Sequence, residues 1–268
     1  MFKDITIGQY FPGESIVHRF DPRLKIITMI FFIISLFFIN TFIPYIFVAI
    51  YLLIIIKIAN LPLKVVLKGL KPLRWILLIT FVINIFFLPG EPLLKLGFLT
   101  ISKEGLKTAC LMAIRLMFLV LGTSLLTYTT SPIELTDGIE ALLKPMKKIG
   151  VPSHEIAMMM TIALRFIPTL IEETDKIMKA QMARGADFES GNIIKRSKNL
   201  VPLLVPLFVN SFRRADELAT AMEARCYRGG VGRTKMKVLV LEKYDYAIFL
   251  GNIVFFLILI LAARLWIY

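Results

Sequence analysis

The stretch IITMIFFIISLFFINTFI, residues 26–43, decides the fold. It holds no charged side chain, and a membrane helix needs roughly 20 mostly apolar residues to cross about 30 Å of hydrocarbon. Lipid offers no partners to backbone polar groups, so such a segment must satisfy them internally, as a helix. More runs of this kind follow. After a turn marked by Asn40, Thr41 and Pro44, a second span reaches about Ile56. A third covers Trp75–Leu88, a fourth about Leu106–Thr129, and a last one Tyr244–Trp266. Apolar residues make up 57% of the 268 and charged residues only 19%. A soluble domain of this size has no interior large enough for so many apolar side chains. The reading is an all-α integral membrane protein with about five transmembrane helices. Its parts are an arm and four spans over residues 1–130, three more polar helices over 131–243, and a C-terminal span over 244–268.

The net charge is +13. The aromatic–basic interleaving that stacks nucleic-acid bases is absent, and the Lys and Arg residues flank the spans instead. The partner they imply is the lipid bilayer, not nucleic acid. The first connection carries no Lys or Arg, whereas the second carries Lys57, Lys64, Lys68, Lys71 and Arg74. By the positive-inside rule the second connection and the N-terminus are cytoplasmic. Pro89-Gly90-Glu91-Pro92 breaks the third span, and residues 93–101 alternate as a small hairpin on the outside would. The fourth span returns the chain to the cytoplasm, where 131–243 begins, and the last one leaves the C-terminus outside. No cleavable signal is expected, because no small-residue cleavage pattern follows the first apolar run. Cys110 and Cys226 are too few for a disulfide framework.

Residues 131–243 read differently from the spans. Ser131-Pro132-Ile133-Glu134 is a capping box with Pro at the first helical position. Leu135, Ile139, Leu142, Leu143 and Met146 then form an amphipathic stripe that Gly150 and Pro152 end. Ser153 is placed to cap a second helix, apolar from Ile156 to Ile167, bent at Pro168, and charged through Glu172, Glu173, Asp175, Lys176 and Lys179. It closes at Ala183-Arg184-Gly185, where Gly suits a left-handed terminal residue. A turn at Gly191-Asn192 leads to a third helix from about Ile193. That helix is apolar around Leu200–Phe212, with Pro202 and Pro206 inside it, and ends at Ala224-Arg225-Cys226. At one constant offset along the chain, Asp175, Ala180, Ala183 and Arg184 match Asp216, Ala221, Ala224 and Arg225. Two helix ends of one design imply two ends with one task. An Arg at a helix C-terminus is favoured by the helix dipole, and its planar fork binds carboxylates or carbonyls in a groove.

Catalytic patterns are missing. There is no Gly-x-x-x-x-Gly-Lys-Ser/Thr phosphate loop, and His154-Glu155 lacks the second His of a zinc helix. His18 and His154, the only histidines, read as interfacial or surface residues. The first three spans carry no internal Asp, Glu, Lys or Arg, although ion-driven transporters place such groups near the midplane. Arg115 in the fourth span reads as a snorkelling side chain, and Met158-Met159-Met160 as packing. No catalytic residue, cofactor or metal ligand is assigned. A stand-alone secondary transporter and a membrane-embedded enzyme remain the competing classes. The first requires midplane ionisable groups, the second a nucleophile–base pair or a metal cluster.

Several of these segments, in this order, resemble the transmembrane T component of energy-coupling factor (ECF) transporters. They are His18-Arg19-Phe20-Asp21-Pro22-Arg23-Leu24-Lys25, Thr130-Ser131-Pro132-Ile133-Glu134-Leu135, Ala163-Leu164-Arg165-Phe166-Ile167-Pro168, Ala180-Gln181-Met182-Ala183-Arg184-Gly185-Ala186, Arg213-Arg214-Ala215-Asp216-Glu217 and Ala221-Met222-Glu223-Ala224-Arg225. The likeness runs from the arm to about Gly230. It implies a non-enzymatic scaffold of a prokaryotic cell-membrane importer for vitamins or other micronutrients, with a dedicated cobalt/nickel-type T component as the close variant. It also implies partners: two cytoplasmic ABC-type ATPases, and one or more substrate-binding S components that select the cargo. The coupling motifs it implies fall on Ala183, Arg184, Gly185 and on Ala224, Arg225, Cys226. Cys226 departs from the family pattern, which has Gly there.

Overall fold

The computed structural model describes residues 10–96, 99–188, 192–230 and 238–265. They divide into two units. One holds residues 10–138 and 238–265, the other residues 139–230.

The first unit begins with a short helix, α1 (Ile16–Arg19), and then α2 (Pro22–Phe38). The apolar run starts to be helical before Ile26 because Asp21 caps it. The Asp21 carboxylate accepts from the Arg23 N–H at 2.8 Å, and Pro22 occupies the first turn, where a missing N–H costs nothing. Ile39 is extended and ends α2; α3 (Phe42–Ile58) follows. Asn60, at φ +52°, takes the left-handed conformation that closes α3. The third span is longer than its apolar core. A short helix, α4 (Leu63–Lys68), and a 3-10 turn (Lys71–Leu73) lead into α5 (Arg74–Phe87). At 1.5 Å per residue α5 alone covers about 21 Å, short of the hydrocarbon thickness, and the residues before it extend the stretch to Leu63–Phe87.

The expected hairpin forms one residue wider on each side, as β1 (Pro92–Leu96) and β2 (Leu99–Ser102), paired antiparallel. Ser102 then serves two elements. Its hydroxyl donates to the Leu88 carbonyl at 2.8 Å and accepts from Gly105 N–H at 3.0 Å, which caps α6 (Lys103–Thr129). Gly122 of α6 meets the ring of Phe32 where a Cβ would collide, so α2 and α6 approach closely there. α7 (Pro132–Leu143) opens on the expected capping box. Ser131 N–H reaches Glu134 Oε2 at 3.2 Å, and Glu134 N–H reaches Ser131 Oγ at 3.3 Å. It ends at Leu143, before the expected Met146, because Pro145 cannot continue it and a 3-10 turn (Lys144–Ile149) takes over.

Residues 139–230 hold α8 (Ser153–Ala183) and α9 (Ile193–Ala224), which pack on one another. Pro152, not Ser153, precedes α8 and offers no side-chain cap; Ser153 is instead the buried first residue. α8 runs through Pro168, and α9 through Pro202 and Pro206. The turn expected at Gly191 lies outside the described residues. The final helix, α10 (Lys243–Leu265), returns to the first unit; Trp266 lies beyond the described residues.

Among the described residues four stretches are long and apolar enough to cross a membrane, Leu63–Phe87, Lys103–Thr129, Ser153–Ala183 and Lys243–Arg264, with Phe42–Ile58 a shorter apolar helix. The chain is an all-α membrane protein with one small hairpin. Its core draws Phe32 and Leu36 from α2, Val48 and Leu52 from α3, Leu125 from α6 and Phe256 and Leu259 from α10. Outward faces stay apolar: Trp75 is 62% and Phe87 79% exposed, as lipid-facing side chains are in an isolated chain.

Arg115 and His18 both have defined partners. Arg115 extends from within α6 to the turn at the ends of α2 and α3. Its guanidinium donates to the Ile39 carbonyl at 2.6 Å, to Asn40 Oδ1 at 3.2 Å and to Tyr45 Oη at 3.2 Å, so it binds the α2–α3 turn, which only the folded chain brings within its reach. His18 is not on the surface. It is buried, and its Nε2 lies 3.0 Å from the Phe11 carbonyl, which can only accept. The neutral ring therefore carries its proton on Nε2, and Nδ1 accepts from the Ser15 hydroxyl at 2.7 Å.

Candidate functional site

The two matched helix ends are built by the same hydrogen bonds. At the end of α8, Arg184 N–H donates to Gln181 O at 3.0 Å, Gly185 N–H to Met182 O at 3.0 Å, and Ala186 N–H to Gln181 O at 2.9 Å. At the end of α9, Arg225 N–H donates to Met222 O at 3.1 Å, Cys226 N–H to Glu223 O at 2.8 Å, and Tyr227 N–H to Met222 O at 3.0 Å. Each bond of the first end has its counterpart in the second, at the offset that relates Arg184 to Arg225. Both ends are Schellman closures, in which a left-handed residue lets two later N–H groups reach back to the last free carbonyls. Gly185 supplies that conformation at φ +87°, and Cys226 supplies it at φ +55°. The departure from Gly thus leaves the turn unchanged and places a side chain where glycine is favoured.

The geometry exposes both arginines. Ala183, Arg184 and Gly185 are exposed, as are Ala224, Arg225 and Cys226. Among the described residues no hydrogen bond or ion pair occupies either guanidinium. Each sits at the negative end of a long helix, of 31 residues in α8 and 32 in α9, where the last carbonyls favour a cation. Such an end can offer a planar, bidentate donor to a carboxylate or to carbonyls on another molecule.

Three turns upstream the helices are tied together. Asn210 Nδ2 donates to Glu173 Oε1 at 2.6 Å, and the Arg214 guanidinium lies 3.1 Å from Glu173 Oε2. The second contact is an ion pair rather than a well-aligned hydrogen bond. The Glu173 side chain is 15% exposed and that of Arg214 38%. On the exposed side, Arg213 pairs with Glu217 at 3.1 Å.

Comparison with known proteins places the chain in a family. A family described as cobalt transport protein (CbiQ) matches residues 13–238. A Clostridium kluyveri protein named energy-coupling factor transporter transmembrane protein EcfT is 61% identical over 99% of both chains. Proteins of that name are 57% identical in Thermosediminibacter oceani, over 93% of this chain and 94% of the relative, and 49% identical in Bacillus subtilis, over 95% and 96%. The chain belongs to the EcfT family. It is a transmembrane component of a transporter, as the sequence motifs implied.

Within this EcfT chain the six residues singled out from sequence stand as two triads, each closing a helix. Sequence reading missed the partners of Glu173 and of His154. Glu173 read only as part of a charged half-helix, although Glu173 and Arg214 are themselves related by the offset that relates Arg184 to Arg225. His154 Nδ1 lies 3.1 Å from Glu140 Oε1, and Gly230 packs against its ring so closely that a Cβ would fall 2.6 Å from Cδ2. The Gly229-Gly230 pair was the available signal, since a residue without a Cβ permits such an approach.

Proposed function

We propose that this chain is the coupling subunit of an ECF importer in a bacterial cell membrane, joining two cytoplasmic ABC-type ATPases to a substrate-binding S component for ATP-driven uptake of vitamins or other micronutrients. Residues 131–243 form its cytoplasmic or interfacial coupling region, and Arg184 and Arg225 each seat in a groove of one ATPase. The observation that carries this reading is the pair of identically closed helix ends, each presenting an exposed arginine with no partner among the described residues. A single such end would be an ordinary terminal charge. Two ends alike in every closing bond fit two copies of one kind of partner. The uncovered apolar face of α9, with Phe208 61% and Phe212 69% exposed, offers the same region a second contact, toward lipid or a membrane partner.

The test is co-purification of the tagged chain with its ATPases, beside uptake in cells. Losing one member of a buried, hydrogen-bonded charge pair at an interface costs about 2–5 kcal/mol, or roughly 30- to several-thousand-fold in affinity. Arg184→Glu and Arg225→Glu each weaken assembly without impairing membrane insertion. The double variant loses both ATPases and uptake. Lys at either position rescues only in part, because it lacks the planar fork. Lys147→Glu and Lys176→Glu serve as charge controls and change little. A double variant that still binds both ATPases and transports would remove these ends from the mechanism.

A further inference from the structure

We infer that Glu173, held by Arg214 and Asn210, is a positioning residue that fixes the separation of the two coupling ends. The inference rests on the assignment of Arg184 and Arg225 above. Its ground is a symmetry in the contact itself. Glu173 precedes Arg184 along α8 by the same interval as Arg214 precedes Arg225 along α9. The ion pair therefore joins equivalent points of the two quasi-repeated helices, three turns from each end. Each lever beyond the pin is about 16 Å long.

The chemistry suits a pin better than simple packing would. Apolar helix faces tolerate crossing angles that scatter by about 15–20°. A change of about 20° at the pin would move an end on a lever of about 16 Å by about 6 Å, enough to unseat an arginine from a groove. A carboxylate held at 2.6 Å by an amide on one oxygen and by a guanidinium at 3.1 Å on the other narrows that freedom. Its two oxygens are addressed from Asn210 and Arg214, one turn apart on α9, so both rotation and sliding of α9 break a contact. The charge is well shielded on the Glu173 side, which keeps the attraction from being screened away.

The experiment uses the full chain, with Cys110 and Cys226 replaced by Ser and spin labels on cysteines at Ala180 and Ala221, equivalent exposed positions between the pin and the ends. Pulsed dipolar spectroscopy of the purified chain reads the distance between the helices, and the unlabelled variants are assayed for uptake and ATPase co-purification. With the pin intact, one narrow distance distribution is expected. Glu173→Ala and Arg214→Ala broaden it or shift its mean by about 5 Å, the scale set by the lever. The exchanged pair Glu173→Arg with Arg214→Glu restores it, since Asn210 can turn its carbonyl toward the new guanidinium. Uptake falls at least tenfold in the single variants, ATPase co-purification weakens with it because a displaced end no longer seats its arginine, and both recover in the exchange. Unchanged distances in the single variants, or an exchange that fails to restore them, would overturn the inference. Distances that respond while uptake does not would leave the clamp in place and instead overturn the assignment of the two ends as coupling elements.

Discussion

The arm beside α2 and the ends of α8 and α9 are both rich in charge, and they use it in opposite ways. Where the arm meets α2, Lys25 in the first turns of that helix is only 6% exposed, and its ammonium donates to the His18 carbonyl at 3.0 Å, to the Thr129 carbonyl at 3.1 Å and to Thr130 Oγ1 at 3.1 Å. Asp245, 2% exposed, accepts from the backbone of Asp21 and of Glu242, and Arg23 reaches the Leu239 carbonyl at 2.7 Å. Every one of these groups is answered within the chain, and together they tie the arm to the end of α6 and the start of α10. At the helix ends the arginines are exposed and, among the described residues, unanswered. A charge that is buried and matched serves the fold. A charge carried out to the tip of a long helix, twice and in the same frame, is left available to another molecule, which is the role proposed for it above.

The sharpest way to break that contrast is to remove one charge from each region and compare stability. Lys25→Met strands two carbonyls and a hydroxyl and leaves nearby carboxylates without their cation. Breaking a buried charged network costs about 3–5 kcal/mol. The variant should accumulate poorly in membranes and unfold at markedly lower temperature in detergent. Arg184→Ala or Arg225→Ala should shift stability by less than about 0.5 kcal/mol, as exposed substitutions do. Equal losses in both places would erase the distinction between structural and contact charges.

A smaller effect sharpens the arm's side of the comparison. Burial holds the His18 pKa below its usual value; the Lys25 charge acts the same way, while the Phe11 carbonyl and Glu134 oppose it. The folded arm therefore prefers neutral His18. Its contribution is complete above the unfolded value of about 6.5 and is lost as pH falls through the lower folded value. Phe11 N–H donates to Tyr128 O at 2.9 Å and reports on the arm. Its exchange protection, corrected for intrinsic rate, should fall on acidification below about pH 6.5, and His18→Gln should flatten that dependence. Protection independent of pH in the unaltered chain would mean that the ring does not hold the arm.

Much of this was legible in the chain because it depends on local pattern. The apolar spans, the capping box at Ser131 and Glu134, and the Gly185 closure each need only neighbours in sequence. The roles of Arg115 and His18 were not legible. Arg115 answers the Ile39 carbonyl, far off in sequence at the α2–α3 turn, and no periodicity within α6 marks that turn as its target. The bilayer fate of α8 was hidden for a different reason. Its first half is apolar and its second half charged, so length and composition admit a span while the charges favour an interface. The pin at Glu173 was half visible. The constant offset between the two helices was in the sequence, but its four identities drew attention to like residues, and an ion pair joins unlike ones.

The smallest predicted effect separates the two helix ends from each other. Cys226 sits at φ +55° and Gly185 at φ +87°, in otherwise matching closures. A left-handed conformation costs a residue with a Cβ about 1–2 kcal/mol relative to its preferred state, whereas glycine adopts it freely and instead loses more entropy on folding. Cys226→Gly should therefore stabilise the end of α9 by about 0.5–1 kcal/mol, seen as slower exchange of the Tyr227 amide, which donates to Met222 O. Gly185→Cys should weaken the end of α8 by a similar amount. A Cβ there has nothing within 4 Å, so backbone strain alone is being measured. Neither change touches an arginine, so ATPase co-purification should be unchanged in both. If Cys226→Gly lowers co-purification while slowing exchange, the side chain at 226 is itself part of the contact, and the two ends are alike in backbone but not in what they bind.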